Sequence, residues 1–163
     1  MDMIENNIKP KVYIETSIPS YLTAWRSPDL VMAANQETTK EWWDNCEQFD
    51  LYVSAFVIQE ARAGDPNAAK RRLEKLEGIL ELDVTEEVET FATQLLERVP
   101  LPPKAKIDAL HISVATINGM DYLLTWNCTH IANATLRPKI EALCREFGYE
   151  PPTICTPQEL REV

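Results

Sequence analysis

Each of the four glycines in the chain closes a stretch of apolar-periodic residues. Arg62-Ala63 precedes Gly64, Leu76-Glu77 precedes Gly78, Ile117-Asn118 precedes Gly119 and Glu146-Phe147 precedes Gly148. A helix that ends in a left-handed residue favours glycine at that place, so the four mark helix C-termini. Helix starts carry signals of their own. Ser27-Pro28-Asp29, Asp65-Pro66-Asn67 and Thr156-Pro157-Gln158-Glu159 each set a capping oxygen before a proline at the first helical position. Thr85-Glu86-Glu87-Val88 adds acidic residues to a first turn. Between these signals lie β-rich runs at residues 11–15, 51–54, 80–84, 121–125 and 153–155. Helical patterns cover 28–48, 55–63, 66–77, 86–98, 104–118, 136–147 and 157–162. Strands alternating with helices over short connections predict an α/β fold, a mostly parallel sheet covered on both faces.

The scarcity of glycine also excludes function classes. Walker and dinucleotide loops need clustered glycines so that backbone can approach phosphate, and these four lie far apart. At 163 residues the expectation is a single domain, 1–163. The best apolar run, residues 51–58, is far short of the roughly 20 residues of a membrane span. Residues 1–10 are polar and of mixed charge, without the pattern of a secretory leader. Cys46, Cys128, Cys144 and Cys155 are widely spaced, which predicts free thiols in a reducing cytoplasm. A zinc site from Cys128, His130, Cys144 and Cys155 is disfavoured, because those spacings match no closed tetrahedral pattern.

Ligands of open parallel sheets gather outside the carboxyl ends of the strands. The first strand ends on Glu15, followed by Thr16 and Ser17; the second leads into a short helix carrying Glu60; the fourth ends at Thr125-Trp126-Asn127. Asp108 lies near the start of the helix that feeds this fourth strand. Each has a bland reading: Glu15 as a solvated strand end, Glu60 as an ordinary exposed helix residue. Asp108 resists it. It borders the apolar stripe of Ile107, Leu110, Val114 and Ile117 beyond the usual capping position, where a half-buried carboxylate needs a cation. Three carboxylates and an amide at converging positions suit a hard divalent ion.

In these segments the sequence resembles the PIN-domain ribonucleases, particularly the VapC-like toxins of bacterial toxin–antitoxin pairs. The resemblance runs from about Lys11 to Glu159. It rests on Val12-Tyr13-Ile14-Glu15-Thr16-Ser17, on Val57-Ile58-Gln59-Glu60, on the helix Lys106-Ile107-Asp108-Ala109-Leu110-His111-Ile112-Ser113-Val114-Ala115, and on Tyr122-Leu123-Leu124-Thr125-Trp126-Asn127. It implies a PIN-like α/β/α sandwich whose acidic residues hold Mg²⁺ or Mn²⁺ for cleavage of single-stranded RNA. By position, Glu15, Glu60, Asp108 and Asn127 would be the catalytic metal ligands, with Thr16, Ser17 and Thr125 supporting them. It further implies a cognate antitoxin laid across the acidic cleft, and a homodimer.

Two departures from the family pattern matter. Glu15 is one methylene longer than the usual aspartate, and Asn127 is neutral, with Thr129 where a further acid often stands. Both features favour the alternative of a catalytically weak or inactive PIN-like binding or scaffold module. An unrelated flavodoxin-like receiver would explain an acid after the first strand, but not Asp108 together with Leu-Leu-Thr-x-Asn. His111 is weighed as an aid to proton transfer and His130 as a structural or RNA-contacting residue. Trp42-Trp43 reads as core or subunit interface ahead of a base-stacking platform.

The net charge of −10, from 26 acids and 16 bases, argues at first against a nucleic-acid substrate. Its distribution weakens the objection. Residues 74–97 hold eight acids and one base, and the rest of the chain carries only −3. Arg62, Lys70, Arg71 and Arg72 after Glu60, and Lys104 and Lys106 before Asp108, form a candidate basic rim for RNA. The acidic stretch is then expected to lie away from the site.

Overall fold

The computed structural model describes residues 8–161. These residues form five strands and seven α-helices in the order β1 (Lys11–Ile14), α1 (Ser17–Thr23), α2 (Leu30–Asp44), β2 (Asp50–Val53), α3 (Ala55–Ala61), α4 (Pro66–Leu76), β3 (Leu80–Glu81), α5 (Glu86–Arg98), α6 (Lys106–Ile117), β4 (Tyr122–Leu124), α7 (Arg137–Glu146) and β5 (Thr153–Cys155). A 3₁₀ turn, Pro103–Ala105, leads into α6. The sheet order is β3-β2-β1-β4-β5, and every pairing is parallel. With β1 in the centre, Tyr13 pairs with Tyr52 on one side and Leu123 on the other. Because all strands run the same way, the residues that follow β1, β2 and β4 emerge at one edge: Glu15, Ser54 and Thr125.

The central strand reads as a sheet buried on both faces. Val12, Tyr13 and Ile14 are fully buried, as are Val53, Leu123 and Leu124 on its neighbours. Helix α6 packs against α5 and is enclosed from Ala109 to Thr116 without a break, so its apolar surface is wider than a single stripe. No helix among the described residues is long and apolar enough to cross a membrane.

The helix punctuation is borne out at the glycines, all four of which have φ between 69° and 83°. Asp65 accepts from Ala68 N with Pro66 at the first helical position, and Thr85 accepts from Val88 N. Four boundaries need correction. The helix over 28–48 is confined to α2; its cap is Asp29, which accepts from Met32 N, and Pro28 lies outside. Residues 17–23 form α1, a helix whose short Ser-Ile-Pro-Ser run carries no amphipathic repeat long enough to read. The strand over 80–84 shrinks to two residues at the sheet edge. Of the helix over 157–162, residues 157–160 make only a turn, in which Glu159 Oε1 accepts from Thr156 N–H and Oγ1 at 3.2 and 3.4 Å, and residue 162 lies outside the described residues.

The acidic stretch lies away from the site only in part: Glu74 and Glu77 share a surface hollow with Arg62 and Lys70, and Glu81 lines another with Arg62 and Gln59, beside Glu60. Asn118, just past the C-terminus of α6, donates to Asp83 O, so the acidic start of α5 sits at that end. Asp108 lies ten residues earlier on the same helix, about 15 Å away at the usual rise.

Candidate active site at the carboxyl edge of the sheet

Glu15 leaves β1 with only 5% of its surface exposed. A buried carboxylate needs donors, and three converge on Oε1: Ser17 N at 3.1 Å, Ser17 Oγ at 2.5 Å and Thr125 Oγ1 at 2.6 Å. The same hydroxyls accept from the fourth-strand loop, Ser17 Oγ from Trp126 N at 2.8 Å and Thr125 Oγ1 from Asn127 N at 2.9 Å. The carboxylate and the loop after β4 are therefore one hydrogen-bonded unit.

Glu60, on α3, has a side chain 38% exposed. Its Oε1 accepts from Thr16 Oγ1 at 2.7 Å and lies 2.5 Å from His111 Nε2. Burial opposes ionisation of Glu60, but the hydrogen bond and charge of His111 and the bond from Thr16 outweigh it, holding the carboxyl below its ordinary range. In both glutamates the described hydrogen bonds reach Oε1 and leave Oε2 without a partner among the described residues.

His111 is itself fully buried on α6, and its Nδ1 lies 2.7 Å from Tyr13 OH, which in turn lies 2.7 Å from Ser54 Oγ. Burial, ahead of the opposing Ser54 bond, pushes the Tyr13 phenol well above its usual pKa, so it stays protonated. Glu15, Glu60 and His111 each offer a ligand atom within 4.8 Å of the others.

Asp108 and Asn127 form a second group. Asn127 Nδ2 donates to Asp108 Oδ1 at 3.1 Å, and His130 Nδ1 lies 2.8 Å from Asp108 Oδ2. The half-buried Asp108 is thus partnered by an amide and an imidazole, its side chain 19% exposed beside His130 at 20%. Asn127 Oδ1 accepts His130 N–H at 3.0 Å, closing the loop on itself. Thr125 links the two groups, touching Glu15 through its proton and Asn127 through its lone pair.

All seven residues singled out for the site lie in these two linked groups: Glu15, Thr16, Ser17, Glu60, Asp108, Thr125 and Asn127. The contacts of His111 and His130 carry no sequence signal: the spacing of His111, three residues after Asp108, points to that carboxylate, but the imidazole turns to Glu60 and Tyr13. Of the rim, Arg62, Lys70, Lys104 and Lys106 are exposed. Arg72 instead caps α3, donating to Ala61 O at 3.1 Å and Ala63 O at 2.6 Å, and the Arg71 guanidinium lies 4.9 Å from the centre of the Trp25 ring. The cysteine–histidine quartet is not gathered among the described residues; Cys144 and Cys155 are buried and Cys128 is exposed. Trp42 is core, stacked on Phe49 at 5.7 Å.

The donor set suits a hard cation. Two carboxylates held close together repel unless one is protonated or a cation lies between them, and each keeps an oxygen without a protein partner. His111 Nε2 is turned to Glu60 Oε1, a contact that orients the carboxylate.

No protein-family model matches the sequence, and no curated protein does. The fold does have a counterpart among solved structures. The crystal structure of Mycobacterium tuberculosis VapC20, a toxin that cleaves the sarcin-ricin loop, superposes with a TM-score of 0.57 at 20% identity, over 73% of this chain and 92% of that one. The chain has the PIN-like α/β fold of a VapC toxin, built here on an all-parallel five-stranded sheet.

Proposed function

We propose that the chain is a metal-dependent endoribonuclease of the VapC toxin type, cleaving phosphodiesters of single-stranded RNA. The observation that carries the reading is the close approach of Glu15 and Glu60, each anchored through Oε1, at the carboxyl edge of this fold. Glu15 and Glu60 would be the direct carboxylates for Mg²⁺ or Mn²⁺, with Asp108 and Asn127 completing the ligand set. When bound, the ion supplies neutralisation of phosphate charge and a water of lowered pKa. The chain's own part is preorganisation. Ser17 and Thr125 fix Glu15, Thr16 and His111 fix Glu60, and His130 holds Asp108. The exposed Arg62, Lys70, Lys104 and Lys106 give RNA phosphates a basic rim. The toxin reading carries with it a cognate antitoxin, a homodimer and a cytoplasmic setting.

The test is cleavage of single-stranded RNA by purified protein with Mg²⁺ or Mn²⁺, comparing wild type with Asp108→Asn and Glu15→Gln. Cleavage by wild type alone supports the reading; equal cleavage by all three overturns it.

One observation favours a second reading, a PIN-like binding or scaffold module. Both oxygens of Asp108 are already engaged, by Asn127 and His130. Calorimetric titration separates the two: no binding at millimolar Mn²⁺ selects the scaffold.

A further inference from the structure

We propose that His111 and Tyr13 are positioning residues for Glu60, forming with Ser54 a buried hydrogen-bonded strut that fixes where its carboxylate points. The inference rests on the nuclease reading of the Glu15–Glu60 site and deepens it.

The strut draws on four elements. Ser54 follows β2, Tyr13 lies on β1, His111 on α6 and Glu60 on α3. Its contacts are Ser54 Oγ to Tyr13 OH at 2.7 Å, Tyr13 OH to His111 Nδ1 at 2.7 Å and His111 Nε2 to Glu60 Oε1 at 2.5 Å. Ser54, Tyr13 and His111 are all 0% exposed, and only the Glu60 end reaches the open edge. A core that needed volume alone would be served by apolar side chains, since a buried polar network stabilises little beyond its desolvation cost. Here the polar atoms are strung in one line that ends on the candidate ligand.

The line also fixes direction. The Glu60 carboxylate can only accept, so His111 Nε2 donates to it, and Nδ1, Tyr13 OH and Ser54 Oγ continue the line inward, each within hydrogen-bond distance of the next. The Phe56 ring lies perpendicular to the imidazole, centroids 6.5 Å apart at 88°. Glu60 Oε1 is thus held from the interior by His111 and from the side by Thr16, which leaves Oε2 for a ligand. Groups that orient metal-ligating side chains typically change metal affinity 10- to 100-fold when removed.

Tyr13→Phe keeps the ring and deletes the hydroxyl; His111→Gln keeps an amide donor toward Glu60, which His111→Ala lacks. The measurements on the full chain are the Kd for Mn²⁺ by calorimetry, kcat and KM on single-stranded RNA, and Tm. The expected result is a Mn²⁺ Kd about 10-fold weaker in Tyr13→Phe, a lower kcat at unchanged KM, and partial rescue of both in His111→Gln relative to His111→Ala. Wild-type Mn²⁺ affinity in Tyr13→Phe, whatever its Tm, makes the strut merely structural and overturns the proposal. If His111→Ala does not fold, Tyr13→Phe and His111→Gln decide. A wild-type chain that binds no Mn²⁺ overturns the nuclease reading and the strut together, whereas a wild-type chain that binds and cleaves beside unaffected variants overturns the strut alone.

Discussion

The Thr125 hydroxyl donates to Glu15 Oε1 at 2.6 Å and accepts the Asn127 N–H at 2.9 Å, so one fully buried side chain couples β1 to the loop after β4. Thr125→Val preserves its shape and removes both bonds, leaving a buried carboxylate short of a donor and an amide unpaired. Urea denaturation should show a loss of about 1–3 kcal/mol. The Kd for Mn²⁺ should weaken about 10-fold. Thr125→Ser, which keeps the hydroxyl, should retain most of the affinity; an equal defect in both variants would point to the methyl group instead.

Asp108 meets Asn127 at 3.1 Å and His130 at 2.8 Å, and these partners make opposite predictions for its role. If its negative charge serves the reaction directly, Asp108→Asn lowers single-turnover RNA cleavage by about 10²-fold, as losing a preorganised electrostatic contact usually does. His130→Ala then costs only about 10-fold, the usual effect of losing an orienting neighbour. Equal losses in the two variants would make Asp108 the holder of His130.

The fold was legible because its signals are local. Left-handed glycines, Asp65 and Thr85 caps and β-branched runs each act within a few residues, and they place the helices that carry Glu60 and Asp108. Helix α1 was not, since seven residues around Pro19 offer no repeat, and its start is set by Ser17 turning back to Glu15. Five of the seven candidate residues were legible as types that follow strand ends, and Glu60 and Asp108 as acids on helices α3 and α6. What sequence does not carry is the partition among them. That Asp108 pairs with His130, while His111 turns its other nitrogen to Tyr13, depends on contacts spanning 22 and 98 positions. Likewise Arg72 reads as a cationic rim residue until α4 is seen packed where its guanidinium caps α3.

The cysteines should divide sharply in reactivity. Burial, reinforced by the charge of Glu159, pushes the Cys155 thiol up to about 12, and burial also raises Cys144. Thiolate is the reactive form, so neither should be alkylated appreciably between pH 7 and 9, and raising pH within that window should not rescue Cys155. Cys128 is exposed and should react first. Mass-spectrometric mapping after brief iodoacetamide treatment reads this directly. Modification of Cys155 in folded protein at neutral pH would show that the sheet edge at β5 opens.

Gly64 ends the helix that carries Glu60, with φ +83° and no atom within 4 Å of where a Cβ would lie. A substitution there meets backbone strain and no clash. Gly64→Ala should therefore cost about 1–2 kcal/mol, and Gly64→Asn less, because asparagine tolerates the left-handed region. The site should notice as well. Arg72 holds the carbonyls of Ala61 and Ala63 immediately before this turn, so strain at Gly64 is transmitted to the end of α3. Urea denaturation of both variants, with Mn²⁺ titration beside it, tests the two levels together. The expected order in stability is Gly, then Asn, then Ala, with Mn²⁺ affinity following the same order. An alanine variant as stable as wild type would mean that the turn relaxes out of the left-handed region, and that the position of Glu60 does not depend on it.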